Sequence, residues 1–111
     1  MPVSDAGALE VLQNAAAATG NGTAVALAGY DKFAIEVTGT FVGTVTFEGT
    51  IDDTSYFAVG MKTAADGAAV TSATAAGAFK MPSDTVLSQF RARVSAFTSG
   101  TITVKGRKEY S

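Results

Sequence analysis

The sequence predicts an all-β protein, an antiparallel β-sandwich built from about eight strands. Three observations predict it. Gly, Thr and Asp break the chain at short intervals. Between the breaks lie short runs of β-branched and aromatic residues, which suit a pleated, half-buried surface. Within the clearest runs apolar and polar residues alternate with period two, as an antiparallel sheet with one buried face requires.

Strands are expected near residues 9–18, 23–30, 32–39, 43–52, 56–62, 69–80, 87–97 and 101–107. The first, "ALEVLQNAAAAT", is rich in helix formers, and Ala8, Leu9, Val11 and Leu12 suit a short helical face. It stops at the turn signal "TGNGT", and the rest of the chain needs β partners, so a strand is preferred. In "KFAIEVTG", Phe33, Ile35 and Val37 share one face, and Lys32, Ala34, Glu36 and Thr38 the other. In "GTVTFEGTI", Val45, Phe47 and Ile51 are set against Thr44, Thr46, Glu48 and Thr50. The alanine-rich "AADGAAVTSATAAG" reads as a loop with a short edge strand, and Pro82 ends what precedes it. In "SQFRARVSAF", Phe90, Ala92, Val94 and Ala96 alternate with Gln89, Arg91, Arg93 and Ser95. The closing "TITVKG" points Ile102 and Val104 inward. Gly-Thr recurs at 22–23, 39–40, 43–44, 49–50 and 100–101 without a fixed period, so it reads as strand-start chemistry and not as a repeat.

At 111 residues the chain is expected to be one domain, 1–111, with 1–8 and 108–111 as loose arms. Alanine inflates the apolar share, so Phe33, Phe41, Phe47, Tyr56, Phe57, Phe79, Phe90 and Phe97 are expected to supply most of the core. A formal net charge of −2 argues against nucleic acid as a partner. The absence of Cys and His excludes disulfides, thiolate metal sites and a Ser-His-Asp triad. No apolar run approaches a membrane span, and "MPVSDAGALE" lacks the basic and apolar regions of a signal peptide. Synthesis in a host cytoplasm without export by the usual route is the expectation, with no membrane partner.

Few residues suggest chemistry. Asp52-Asp53 ends "VTGTFVGTVTFEGTIDD"; it reads as a turn, where Asp bonds backbone N–H groups two residues on, in preference to a calcium or magnesium site. Glu36 and Glu48, taken as outward residues of adjacent strands in one hairpin, form a carboxylate pair of the glycosidase kind, but no cleft accompanies them. No catalytic residue, metal or cofactor is assigned, and no enzyme is expected. The candidate interface is cationic: Arg91 and Arg93 form an outward stripe that suits either a partner or solvent, and Lys105, Arg107 and Lys108 follow as a docking arm or a frayed tail. Tyr30, Phe41, Tyr56 and Phe97 would make a sugar-stacking platform if exposed together.

Two stretches, "AAAATGNGTAVALAGYDKFAIEVTGTFVGTVTFEGTIDDTSYFAVG" and "AAGAFKMPSDTVLSQFRARVSAFTSGTITVKGR", resemble the two halves of small jelly-roll proteins of tailed bacteriophages and prophages. The shared features are a Gly-x-Gly-Thr turn, Gly-Thr strand entries, an R-x-R strand and a closing Ser-Gly hairpin. Asp53 stands where these proteins often have glycine, and Tyr56 where they often have tryptophan. The resemblance implies a virion structural protein similar to capsid decoration, cement or staple proteins. Its expected partners are the phage major capsid protein on the outer capsid surface and further copies of itself, as a dimer or trimer. A carbohydrate-binding or tail-fibre and baseplate adaptor module is the alternative.

Overall fold

A computed structural model describes residues 9–30, 32–82 and 85–109. These residues form two antiparallel sheets and no helix. The strands are β1 (Leu9–Ala16), β2 (Val25–Ala26), β3 (Lys32–Thr38), β4 (Phe41–Thr50), β5 (Tyr56–Ala58), β6 (Met61–Thr63), β7 (Ala69–Val70), β8 (Ser72–Ala73), β9 (Gly77–Lys80), β10 (Gln89–Gly100) and β11 (Ile102–Glu109). One sheet has six strands in the order β1-β11-β3-β9-β6-β7; the other runs β2-β10-β4-β5, with β8 also on β4. The β-sandwich expected from the sequence is therefore present.

The chain finds more strands than the alternation suggested because it changes sheet inside two expected strands. The stretch 56–62 divides at Val59-Gly60, β5 joining β4 while β6 pairs with β9. Likewise 69–80 divides into β7, β8 and β9, with β8 on the opposite sheet. The first segment is a strand, paired along β11 through two register shifts.

Alternation builds the core wherever the ladder is regular. Phe33, Ile35 and Val37 from β3 and Ile102 and Val104 from β11 face Val45 and Phe47 from β4 and Phe90, Ala92 and Val94 from β10, all buried. Phe33 meets Phe90 edge-on across the sandwich with centroids 5.1 Å apart, and Phe47 meets Phe79 at 5.0 Å. Such ring pairs add about 0.5–1.5 kcal/mol beyond the area they bury.

Four expectations about which residues face inward or outward are corrected. A register shift between Val94 and Ala96 places two β10 residues opposite one on β4. Such a bulge resets the face, so Ala96 is exposed and Phe97 packs on the core instead. Ile51 lies beyond the end of β4, in the turn, and is 68% exposed. Thr50, expected to face outward, is fully buried, its hydroxyl donating to Asp52. Phe57 sits on a three-residue strand and is exposed.

Two Gly-Thr pairs build the corners where the chain crosses between sheets. Gly39 precedes Thr40 between β3 and β4, and Gly100, the last residue of β10, precedes Thr101 ahead of β11. The corners abut: a Cβ on Gly39 would lie 2.3 Å from the Thr101 carbonyl oxygen, and one on Gly100 2.1 Å from that of Thr40. Both glycines also have positive φ, +112° and +93°. The pairs at 43–44 and 49–50 lie inside β4, so strand-start chemistry does not describe them.

Candidate functional site

The cationic residues picked from the sequence divide into two groups with different fates. On the outer face of the five-stranded sheet, Glu48 of β4 stands opposite Arg91 of β10. One carboxylate oxygen accepts from Arg91 at 2.8 Å and the other from Arg93 at 3.0 Å. The Arg91 guanidinium lies 3.8 Å from the centroid of the Tyr56 ring, whose hydroxyl donates to Gln89. The arginine stripe is thus engaged from within. Glu48 has no acidic neighbour in Glu36: β3 and β4 belong to different sheets, and Glu36 faces Lys105 across β11. The expected carboxylate pair does not form, because the chain crosses the sandwich at Gly39-Thr40 and makes no hairpin there.

Lys108 is no loose arm. It belongs to β11 opposite Phe33, so its side chain turns toward the other sheet. Its ammonium donates to the carbonyl of Ala26 on β2 at 3.0 Å, pairs with Glu10 at 3.4 Å and lies 4.6 Å from the Tyr30 ring centroid. One lysine therefore ties the end of the six-stranded sheet to β2. Glu109 ends β11, and the other expected arm residues, 1–8, Tyr110 and Ser111, lie outside the described residues.

Asp52 and Asp53 make a turn. Asp52 accepts from the Thr54 and Ser55 N–H groups at 2.9 and 2.8 Å and from the Thr50 hydroxyl at 3.0 Å. Those hydrogen bonds, Ser55 first, hold its carboxyl below the ordinary value of 3.8. Asp53 has φ +68°, a conformation natural to glycine and tolerated by Asp, and it accepts from the Ser88 hydroxyl. This accounts for an aspartate where the resembling proteins often carry glycine. Among the described residues no cluster of three or more acidic side chains is placed to hold a metal ion.

The proposed aromatic platform is not assembled. Tyr56 carries Arg91 and Tyr30 carries Lys108 on a ring face, while Phe41 and Phe97 pack on the core. Two features escaped the sequence. Gln13 is buried and its amide donates to the Ala92 carbonyl at 2.7 Å and to that of Gly20 at 3.2 Å, joining β1 to the edge of β10. Second, Lys32, Lys62, Lys80, Lys105 and Arg107 all project from the outer face of the six-stranded sheet. None of these five makes an ion pair among the described residues, whereas the other three cations all do.

Comparison with known proteins fits this geometry. Residues 8–108 match the XepA family. The chain belongs to that family. Two solved structures share the fold. The PBSX exported protein XepA superposes with a TM-score of 0.83 at 18% identity, over 97% of this chain. The chain spans only 43% of the length of that protein. The SPBc2 prophage-derived protein YomS superposes with a TM-score of 0.79 at 14% identity, covering 90% of this chain and 89% of its own. No curated protein sequence matches. Both superpositions show a shared β-sandwich fold. Among the described residues no helix is long and apolar enough to cross a membrane.

Proposed function

We propose that this XepA-family chain is a virion structural protein that binds the outer surface of a phage capsid and bridges capsomers. The observation that carries the reading is the commitment of Glu48. Both its oxygens are held by arginines, so the best-placed carboxylate of the sequence serves the rigidity of a sheet. A rigid sandwich whose buried side-chain polar atoms all have partners among the described residues suits a part that must hold its shape on a lattice.

The sheet edges support self-association. Four of the five outer strands are short: β2, β7 and β8 have two residues each and β5 three. The fifth, β1, runs for eight residues and exposes Leu9 and Val11, with the Thr23 N–H bonded to its Leu12 carbonyl. A long apolar edge is where a second copy adds by strand pairing. Many weak clamps on one shell then act together through high effective concentration.

The experiment is heat release of the genome from particles made without the chain, before and after purified chain is added. A component that binds only the assembled shell raises the release temperature in proportion to its occupancy. An unchanged release temperature at saturating chain contradicts the reading.

A further inference from the structure

We infer that the outer face of the six-stranded sheet is a docking surface for an acidic, carboxylate-bearing patch of a shell protein. This deepens the capsid reading and rests on it for the source of the partner.

The face is assembled by strand order. Residues directly opposite in antiparallel strands share a side of the sheet. Leu9 of β1 faces Arg107, Arg107 faces Ala34, Ala34 faces Lys80 and Lys80 faces Lys62. One row across five strands thus carries three cations with an alanine among them. At that alanine lies a depression of about 340 Å³, with Phe33 and Met81 in its lining and Lys32, Lys80, Arg107 and Glu109 around it. The short side chain leaves room for an incoming carboxylate between long cationic arms, and an arginine fork is suited to grip it.

Charge distribution sets this face apart. The chain has a formal net charge of −2, yet all five cations without an ion pair among the described residues gather here. Among the described strand residues that project from this face, Glu36 and Glu109 are the acidic ones, each directly across from a cation, Lys105 and Lys32. Local positive potential on a negative chain orients it toward an acidic surface during approach.

Two features favour a protein partner over nucleic acid. Glu36 and Glu109 break the cationic face into separate spots, which suit discrete carboxylates better than an evenly spaced line of phosphates. Leu9 and Val11 stand in the same rows as Arg107 and Lys105 and are 56% and 43% exposed. Aliphatic groups interleaved with cations suit the mixed surface of a protein better than a phosphate backbone.

The test is co-sedimentation of purified chain with purified particles made without it. Wild type is compared with the variant Lys62→Gln/Lys80→Gln/Arg107→Gln, its fold checked by circular dichroism. Arg93→Gln, which removes a cation from the opposite sheet, serves as the control. The inference expects wild type and the control to bind alike. It expects the triple variant to bind about tenfold more weakly or worse, and wild-type binding to weaken as salt rises. Equal binding by the triple variant overturns the inference and leaves the capsid reading standing. Failure of wild type to sediment overturns both. A random-sequence DNA duplex that binds wild type through the same three residues overturns the choice of a protein partner.

Discussion

Glu48 divides its carboxylate between two arginines, taking Arg91 on one oxygen and Arg93 on the other across the β4–β10 ladder. Only 12% of the glutamate side chain is exposed, so the contacts are partly shielded from water. Replacing the carboxylate by an amide leaves one oxygen to accept from one arginine and turns an NH2 donor toward the other guanidinium. Glu48→Gln is expected to cost about 1–3 kcal/mol in urea unfolding. Arg91→Ala should cost more than Arg93→Ala, since Arg91 is the more buried and also stacks on Tyr56. Equal, negligible costs would show that the cluster is ornamental.

Neighbours in sequence, Arg107 and Lys108 differ sharply in role. Lys108 ties β11 to β2 and Glu10, whereas Arg107 projects from the open face. Lys108→Ala is expected to lower stability by about 1–2 kcal/mol, while Arg107→Ala stays within about 0.5 kcal/mol of wild type. Thermal unfolding of the two variants, read side by side, checks the difference.

The abutting corners give a backbone prediction. At Gly100 an added Cβ meets the Thr40 carbonyl, and φ is +93°. Gly29 has φ +87° but open space around it. Gly29→Ala should therefore cost about 1 kcal/mol from conformation alone. Gly100→Ala, with the clash added, should cost about 2 kcal/mol or more. Similar losses at both sites would mean the corners yield more easily than their geometry indicates.

Acid sensitivity follows from Asp52. Its carboxyl titrates lower in the folded chain than in the unfolded one, because the Ser55 and Thr54 N–H groups and the Thr50 hydroxyl favour the charged form. The stability it contributes is full above the ordinary value of 3.8 and is lost as pH falls through its lower folded value. Asp66, held low by Thr63 and the Ala68 N–H, acts in the same direction. Urea midpoints should stay level down to about pH 5 and then fall. Asp52→Asn should flatten part of that acid limb, and an unaltered limb would remove Asp52 as its cause.

The sandwich was legible in the sequence because burial follows a period of two wherever the ladder is regular, as at Phe33–Val37 and Phe90–Val94. It became illegible where the ladder slips. The bulge at Ser95–Ala96 inverts the face without changing the composition of the run. Strand order was the larger obstacle. The expectation that neighbouring strands pair put Glu36 beside Glu48, although most connections here cross between sheets. The same blindness hid the cationic face, since Lys32, Lys62, Lys80, Lys105 and Arg107 are scattered in sequence and meet only through β11-β3-β9-β6. Arg91 and Arg93, adjacent in an obvious motif, were instead the ones already occupied.

Quantitative mass spectrometry of purified particles, with the chain counted against the major capsid protein, tests the central claim most directly. A protein that decorates the shell is expected on the order of hundreds of copies per particle, in a fixed ratio to the capsid protein. A handful of copies would place it in the tail or baseplate, and absence from particles would contradict a structural role altogether.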